Sequence, residues 1–345
     1  MNIPASILSA YGLSPDKFSV QRVGSGHIHQ TYRLSGQKTY ILQRINNNVF
    51  KRPEVIARNL RAAADFLTQH HPTFIFLSAI KSSEGKELVY DQEGFPWRLF
   101  PYINNTITID QVETSDEAYY AATEFARLTR LLDGIDLSLF QPTIERFHDL
   151  AWRWEQFEEA SDHAKADRKK EANEAIHACK DFAWLVTSYT DLIKKGDLVL
   201  RIMHNDTKIN NILFDATTRK AVCAIDLDTL MPGYFIYDLG DMIRTFVSPV
   251  NEEERDFTKI IFRESIYQSL VDGYLSQMEK VLNPQEIKAI PLGGLMMTYI
   301  MAMRMLTDFL NGDIYYHCTY PGQNLVRASN QFRLLTVLNK FFQIA

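Results

Sequence analysis

Residues 204–211 read His-Asn-Asp-Thr-Lys-Ile-Asn-Asn (HNDTKINN), a polar block between two apolar runs. Asp206, Lys208 and Asn211 stand in an order for which core packing gives no reason. DLVLRIMH precedes the block, and NILFD, the turn ATTRK and KAVCAID follow it. These apolar runs read as strands. A hairpin of the last two would bring Asn211 and Asp226 together at its open end. By the period of two, Asp226 and Asp228 would share one strand face. Two such carboxylates repel unless a cation lies between them or they point into water.

Phosphoryl transfer from ATP needs a carboxylate for the attacking hydroxyl, oxygen ligands for Mg²⁺, and cations on the transferred group. The block supplies all three with Asp206 as base, Asn211 and Asp226 as metal ligands, and Lys208 against the γ-phosphate. The bland alternative is a polar loop in which Asp206 caps a turn. It leaves the paired carboxylates after five apolar residues unexplained.

Outward from this block the chain is that of an ordinary globular protein. Its 345 residues are 46% hydrophobic and 23% charged, which excludes low complexity. A net charge of -5 without a Lys/Arg block argues against nucleic acid as a partner. Cys179, Cys223 and Cys318 lack paired spacing, so neither a disulfide framework nor a zinc site is expected. MNIPASILSAYGL lacks the regions of a signal peptide. The most apolar stretch, LMMTYIMAMRML (295–306), is too short to span a bilayer and contains Arg304. A cytoplasmic protein without membrane contact or an obligate protein partner is expected.

Between Phe18 and Asn46 two Gly-bearing turns separate three strand-like runs. A helix follows, with Val55, Ile56, Leu60, Ala63, Ala64 and Leu67 at helical spacing behind Pro53. FIFLSAI, KELVYD and PWRLFPYI read as further strands. Helical periodicity dominates 115–133, 145–193, 253–281, 284–311 and 321–343. The expected fold is α+β and two-lobed. A small antiparallel β-sheet lobe (1–103) would bind nucleotide, and a larger mainly helical lobe (104–345) would carry catalysis and substrate. A cleft between two lobes is a usual ligand site. Gly24 and Gly26 in GSGHIH suit either a backbone approach to phosphates or an ordinary tight turn.

HNDTKINN resembles the protein-kinase catalytic loop H-R-D-x-K-x-x-N in its His, Asp, Lys and Asn. IDLD resembles the I-D-[FW]-x of the aminoglycoside phosphotransferase and choline kinase group, giving a protein-kinase-like fold. GSGHIHQTY, YILQRIN, HNDTKINN, AIDLDTLMPGYFIYDLGDMIR, RMLTDFLNGDIYYH and NLVRASNQFRLL together resemble the N-acetylhexosamine 1-kinase family. That family phosphorylates the anomeric hydroxyl of GlcNAc or GalNAc.

The resemblance implies Asp206 as base, Asn211 with Asp226 as the metal pair, and Asp228 as a metal-site or γ-phosphate neighbour. It makes Asp238 and Asp241 structural acids; from the residues alone they read as helix N-terminal charges. It places Arg44 on the phosphates, where kinases use a strand lysine, while Gln43 faces the other way. No helix acid is an evident partner, since Glu54 lies at the helix start. Backbone groups near Pro101, Tyr102 and Ile103 would meet adenine. His27, Arg304, Tyr315 or Tyr316, and Asn324 would line the sugar pocket. Without the resemblance, His27 reads as a surface histidine and Arg304 as the i,i+4 partner of Asp308. Trp152 and Trp154 read as packing aromatics.

The expected reaction is ATP plus an N-acetylhexosamine giving the sugar 1-phosphate and ADP. Rivals are a kinase of choline, homoserine or an aminoglycoside, a silent nucleotide-binding regulator, and a Mg²⁺-dependent phosphohydrolase.

Overall fold

The computed structural model describes residues 3–23 and 29–344. The expected architecture is present as an antiparallel sheet joined to a helical region. Helix α1 (Ala5–Ala10) precedes strands β1 (Ser19–Arg22), β2 (Gln30–Ser35) and β3 (Thr39–Arg44). Helix α2 (Pro53–His70) leads to β4 (Val89–Tyr90) and β5 (Pro96–Pro101). The sheet order is β1-β2-β3-β5-β4, antiparallel throughout. One face of this sheet is apolar because Tyr32, Leu34, Leu42, Trp97 and Leu99 alternate inward, and α1 covers it with Ile7 and Leu8. All six apolar positions expected on α2 are buried, and Pro53 starts the helix. Most of that stripe faces the main core rather than the sheet's own cluster.

FIFLSAI does not form a strand. Only Ile80 pairs with the sheet, opposite Leu99. Phe74 and Phe76 turn to the main helical core instead, which removes the alternation a strand would need.

The chain then makes β6 (Thr106–Ile107) and α3 (Ser115–Leu131), the latter started by a Thr114/Glu117 capping box. Helices α4 (Leu150–His163), α5 (Ala166–Glu171), α6 (Asn173–Asp181) and α7 (Trp184–Lys195) follow. Next come β7 (Arg201–Met203), β8 (Ile212–Asp215), β9 (Ala221–Ala224) and β10 (Met231–Gly233). The chain closes with α8 (Phe235–Phe246), α9 (Glu264–Met278), α10 (Pro284–Lys288), α11 (Ile290–Leu310) and α12 (Gln323–Phe342). Strands β6-β8-β9 form one small sheet, and β10 pairs with β7.

Helix α11 is 21 residues long, so the length argument against a membrane span does not hold. It is the axis of the core: α8, α12 and α4 pack around it. The α8–α11 crossing is close because glycines meet there. A Cβ on Gly240 would collide with the Gly293 carbonyl and Met297, and Gly294 lies under Ile243.

Candidate active site

The hairpin places the site's two ends together. β8 and β9 pair antiparallel from Ile212 opposite Ala224, and the Ile225 amide donates to the Asn211 carbonyl at 2.8 Å. Asp226 therefore emerges one residue beyond Asn211's partner. It does not continue the strand. Asp226 takes a left-handed conformation (φ 55°), and Leu227–Thr229 form a 3₁₀ turn. Asp226 and Asp228 thus do not share a strand face, yet the turn keeps their carboxylates within 4.8 Å. An Asp tolerates this backbone at modest cost, and such outliers cluster at functional sites.

Asp206 is held from both sides. The Asn211 amide donates to the Asp206 carbonyl at 2.9 Å and to its carboxylate at 3.3 Å, while Lys208 Nζ lies 3.6 Å away. The Asp206 amide donates to His204 Nδ1, and His204 Nε2 donates to the Ile225 carbonyl at 2.9 Å. One imidazole thereby ties the loop to the strand end that presents Asp226. Burial raises the Asp206 pKa, but Lys208 and then the neighbouring His204 and Arg244 outweigh it and hold the carboxyl below its usual range. Asp206 in turn raises the pKa of Lys208.

The loop backbone is fixed by α8. Asp238 accepts the amides of His204 (2.9 Å) and Asn205 (2.7 Å), and Asp241 accepts that of Thr207 (3.1 Å). Arg244 pairs with Asp241 at 2.8 Å and with Glu252 at 3.1 Å. These two acids are receptors for loop N–H groups rather than only helix-terminal charges. Asn205, also left-handed (φ 64°), donates to the carbonyls of Met203, Thr229 and Met231.

Asp228 is held in a buried cluster beside Asp226. Arg98 of β5 lies 2.6 Å from its Oδ1 and donates to Oδ2 at 2.9 Å; His29 Nε2 donates to Oδ2 at 2.8 Å. The Asn46 amide donates to His29 Nδ1, so the ring proton resides on Nε2. Burial opposes ionisation of Asp228, yet Arg98 and His29 hold its carboxyl far below the usual carboxylate range. Asp226 has no hydrogen-bond partner among the described residues. Asp226 is itself exposed at the cleft surface; partial loss of water among the cleft walls, followed by the charges of Asp228 and Asp206, pushes its carboxyl up to about 6. A carboxylate raised by like charges is a place for a cation. The available donors are the Asp226 carboxylate and the Asn211 carbonyl oxygen, hard oxygen ligands that fit Mg²⁺ or Ca²⁺. The ligand atoms of His29, Asp226 and Asp228 lie within 4.8 Å of one another. Both His29 nitrogens are already engaged, so the oxygen donors suit such an ion better.

Arg44 does not face this cluster. Its guanidinium sits 3.4 Å from the Phe95 ring centroid and 3.8 Å from Glu93. Gln43, one residue earlier on β3, faces the cleft and accepts from Arg98 at 2.6 Å and 3.0 Å. Gln43 and Arg98 are register partners on adjacent strands. The cleft cation thus comes from β5, one strand over from where the sequence points. Glu54 is bonded to Tyr90, away from Arg44. Arg98 falls in the strand-like run PWRLFPYI and His29 in the turn GSGHIH, and neither local pattern singles its residue out.

Gly24, Gly26 and His27 lie outside the described residues. Pro101 ends β5, Arg33 covers the Tyr102 ring, and the Ile103 carbonyl accepts from Thr106 Oγ1 at 2.7 Å. On the other side of Asp206, Arg304 lies over the rings of Phe147 (5.1 Å) and Tyr316 (5.7 Å). It does not pair with Asp308. That carboxylate instead accepts the amides of Ile314, Tyr315 and Tyr316 and the Asn324 side chain. Asn324 is fully buried; it also donates to Asp313 and accepts from Arg327. It fixes the 313–317 loop. Tyr315 is 59% exposed, whereas the Tyr316 hydroxyl is buried without a hydrogen-bond partner among the described residues. His148 donates from Nε2 to the Asn205 carbonyl, and burial pushes its pKa down to about 3, leaving a neutral ring near Asp206 and Arg304. Trp154 packs on Phe157, and Trp152 lies under Arg146 and Arg153.

Comparison with known proteins bears on family and fold. The family model described as "Phosphotransferase enzyme family" matches residues 19–263. Among solved structures, the amicoumacin kinase hAmiN in complex with AMP-PNP, Ca²⁺ and Ami superposes with a TM-score of 0.66 at 14% identity. That match covers 99% of this chain and 95% of the other. A microcompartment-associated aminopropanol kinase gives 0.61 at 16%, covering 98% and 96%. A choline/ethanolamine kinase family protein from Mesorhizobium loti gives 0.59 at 15%, covering 97% and 93%.

Proposed function

The chain belongs to the phosphotransferase enzyme family, the aminoglycoside phosphotransferase and choline kinase-like group of small-molecule kinases, and on that premise we propose that its acceptor is an N-acetylhexosamine phosphorylated at the anomeric hydroxyl. The observation that carries the chemistry is the approach of Asp206, Lys208, Asn211 and Asp226 around one cleft position.

In this reading the acceptor hydroxyl oxygen attacks the γ-phosphorus in line. The bond to the ADP oxygen breaks, and the hydroxyl proton passes to the Asp206 carboxylate. A base held below its usual pKa suffices, because a hemiacetal hydroxyl is more acidic than an alkanol and the transition state is loose. Lys208 sets positive charge beside the transferred group. Asn211 and Asp226 would hold Mg²⁺, which supplies charge neutralisation to the ATP phosphates when bound. Arg98, kept in place by Gln43 and Asp228, is the cation of the sheet side, in the role expected of Arg44.

Support for a sugar rather than an amine comes from Arg304. A buried guanidinium beside Tyr316 repels an ammonium group and donates well to hydroxyl and acetamido oxygens. Structural neighbours include an aminopropanol kinase and a choline/ethanolamine kinase family protein, so a choline- or aminopropanol-type acceptor is the rival. ADP release with Mg-ATP separates the two when GlcNAc, GalNAc, galactose, choline and homoserine are supplied in turn. Turnover is expected with GlcNAc or GalNAc and not with the methyl glycoside of either, whose anomeric oxygen is blocked. Faster turnover of choline, or equal turnover of the methyl glycoside, contradicts the proposal.

A further inference from the structure

Helix α2 carries a polar face beside its apolar stripe, on which Glu54, Arg58 and Arg61 recur at helical spacing. Residues 81–90 run across from them, and the two walls line an open groove of about 480 Å³ with the buried Leu88 between them. Lys81 and Lys86 stand on the second wall. That wall is a fixed turn. The Ser82 amide donates to the Lys86 carbonyl at 2.7 Å, the Lys86 amide to Ser82 Oγ at 3.2 Å, and the Ser83 amide to the Ala10 carbonyl at 2.8 Å.

Positive charge is left over in this groove. Arg61 pairs with Glu87 and, at 3.5 Å, with Asp65; Lys86 pairs with Glu84 at 2.8 Å, and Glu54 accepts from the Tyr90 hydroxyl. Arg58 and Lys81 have no carboxylate within 4.0 Å among the described residues. The excess is local: residues 1–103 hold twelve Lys and Arg against seven Asp and Glu, in a chain whose net charge is -5. A smaller cavity adjoins the groove. Ala57, Arg61, Glu87 and Leu88 line both, and Arg98 stands on the wall of the smaller one. The Arg61–Glu87 pair thus lies between the groove and the guanidinium that holds Asp228.

We propose that the groove between α2 and residues 81–90 binds a small phosphorylated metabolite, a phosphate monoester, and that its binding weakens the binding of ATP. The volume is that of a pocket for one small molecule. The guanidinium fork of Arg58 and the ammonium of Lys81, both without a protein anion, match a doubly charged phosphate. A phosphate that also engages Arg61 draws it from Glu87. The freed carboxylate shares the inner cavity with Arg98 and competes with the ATP phosphates for that cation. This site is separate from the acceptor pocket and does not depend on which alcohol is phosphorylated.

The test uses the full-length protein saturated with Mg-AMP-PNP, which fills the nucleotide site. Titration calorimetry compares ribose 5-phosphate with ribose. The phosphate ester is expected to bind saturably and about tenfold or more tighter than ribose, with the advantage shrinking at high salt. Arg58→Gln combined with Lys81→Gln is expected to remove that advantage; both side chains are exposed, so the core is untouched. Lys194→Gln combined with Lys195→Gln takes the same charge from the exposed end of α7 and is expected to keep it. Ribose 5-phosphate is also expected to raise the dissociation constant of Mg-AMP-PNP about threefold in the wild-type protein and to leave it unchanged in the Arg58/Lys81 variant. No saturable binding to the wild-type protein at about 10 mM overturns the site and needs no variant to fold. Equal losses in the two double variants overturn it too, since diffuse charge would then be the cause. Binding that leaves the nucleotide constant unchanged, or a rise that persists in the Arg58/Lys81 variant, refutes the effect on ATP. None of these readings requires an acceptor, so they stand or fall apart from the sugar-kinase proposal.

Discussion

At the scale of single residues, the site is a problem of where unbalanced charge is left. Asp206 and Lys208 satisfy each other, Asp228 is satisfied by Arg98 and His29, and Asp226 faces the cleft without a partner among the described residues. This division gives Arg98 and Arg44 opposite expectations, although both lie on neighbouring strands. Arg98→Gln leaves Asp228 a buried carboxylate with one donor fewer, and truncating one partner of a buried pair costs about 3–5 kcal/mol. Steady-state kinetics with varied ATP should show a loss of about 100-fold or more in kcat/KM for ATP, partly recovered in Arg98→Lys. Arg44→Gln removes a stacked contact with Phe95 worth about 0.5–1 kcal/mol, with turnover changed less than about threefold. The reverse ranking would return the phosphate cation to Arg44. Asp206, Asn211 and Asp226 were legible in the sequence because a loop and a hairpin bring them together within about twenty residues. The partners of Asp228 lie 130 and 199 residues away, and no local pattern announces them. The choice between Gln43 and Arg44 turned on which sheet face α1 covers, and alternation alone does not fix that.

At the scale of elements, helices were readable where one apolar stripe decides the face. On α2 the six expected positions are all buried. The segments read less well are those whose pairing is set by distant neighbours, such as 74–80, whose phenylalanines join the helical core. The acids of α8 show the same limit: a helix-terminal charge and a receptor for loop amides look alike until the loop is placed. Helix α3 carries a testable oddity. Glu124 is 4% exposed, its Oε1 has no hydrogen-bond partner, and Arg127 is 3.6 Å away. Burial outweighs Arg127 and pushes its carboxyl up to about 7. The folded state therefore binds a proton that the unfolded chain releases near its ordinary pKa. That contribution is full at low pH and is lost as pH rises through about 7, a swing of about 2–3 kcal/mol. Glu124→Gln keeps the neutral form at every pH. Denaturant unfolding should show it gaining stability over wild type by about that amount at pH 8 relative to pH 5. An equal difference at both pH values would refute an ionisation penalty at this position.

At the scale of the whole molecule, a five-stranded sheet and a helical body built around α11 hold between them a loop whose amides from His204 to Thr207 are each bonded. The α+β class was legible because a strand-rich start gives way to long helical periodicity. Where the first strands turn, the sequence offered Gly24, Gly26 and His27, while the described structure places Arg98, His29 and Asp228 where sheet meets loop. The account as a whole depends on Asp206 acting on the acceptor at the same centre that binds the nucleotide. The most direct measurement is turnover of Asp206→Ala with Mg-ATP and the productive acceptor, taken together with the dissociation constant for Mg-ATP. The expected result is a loss of kcat of about a thousandfold or more, with nucleotide affinity within about threefold of wild type. Turnover within tenfold of wild type, or loss of activity only through lost nucleotide binding, would contradict it.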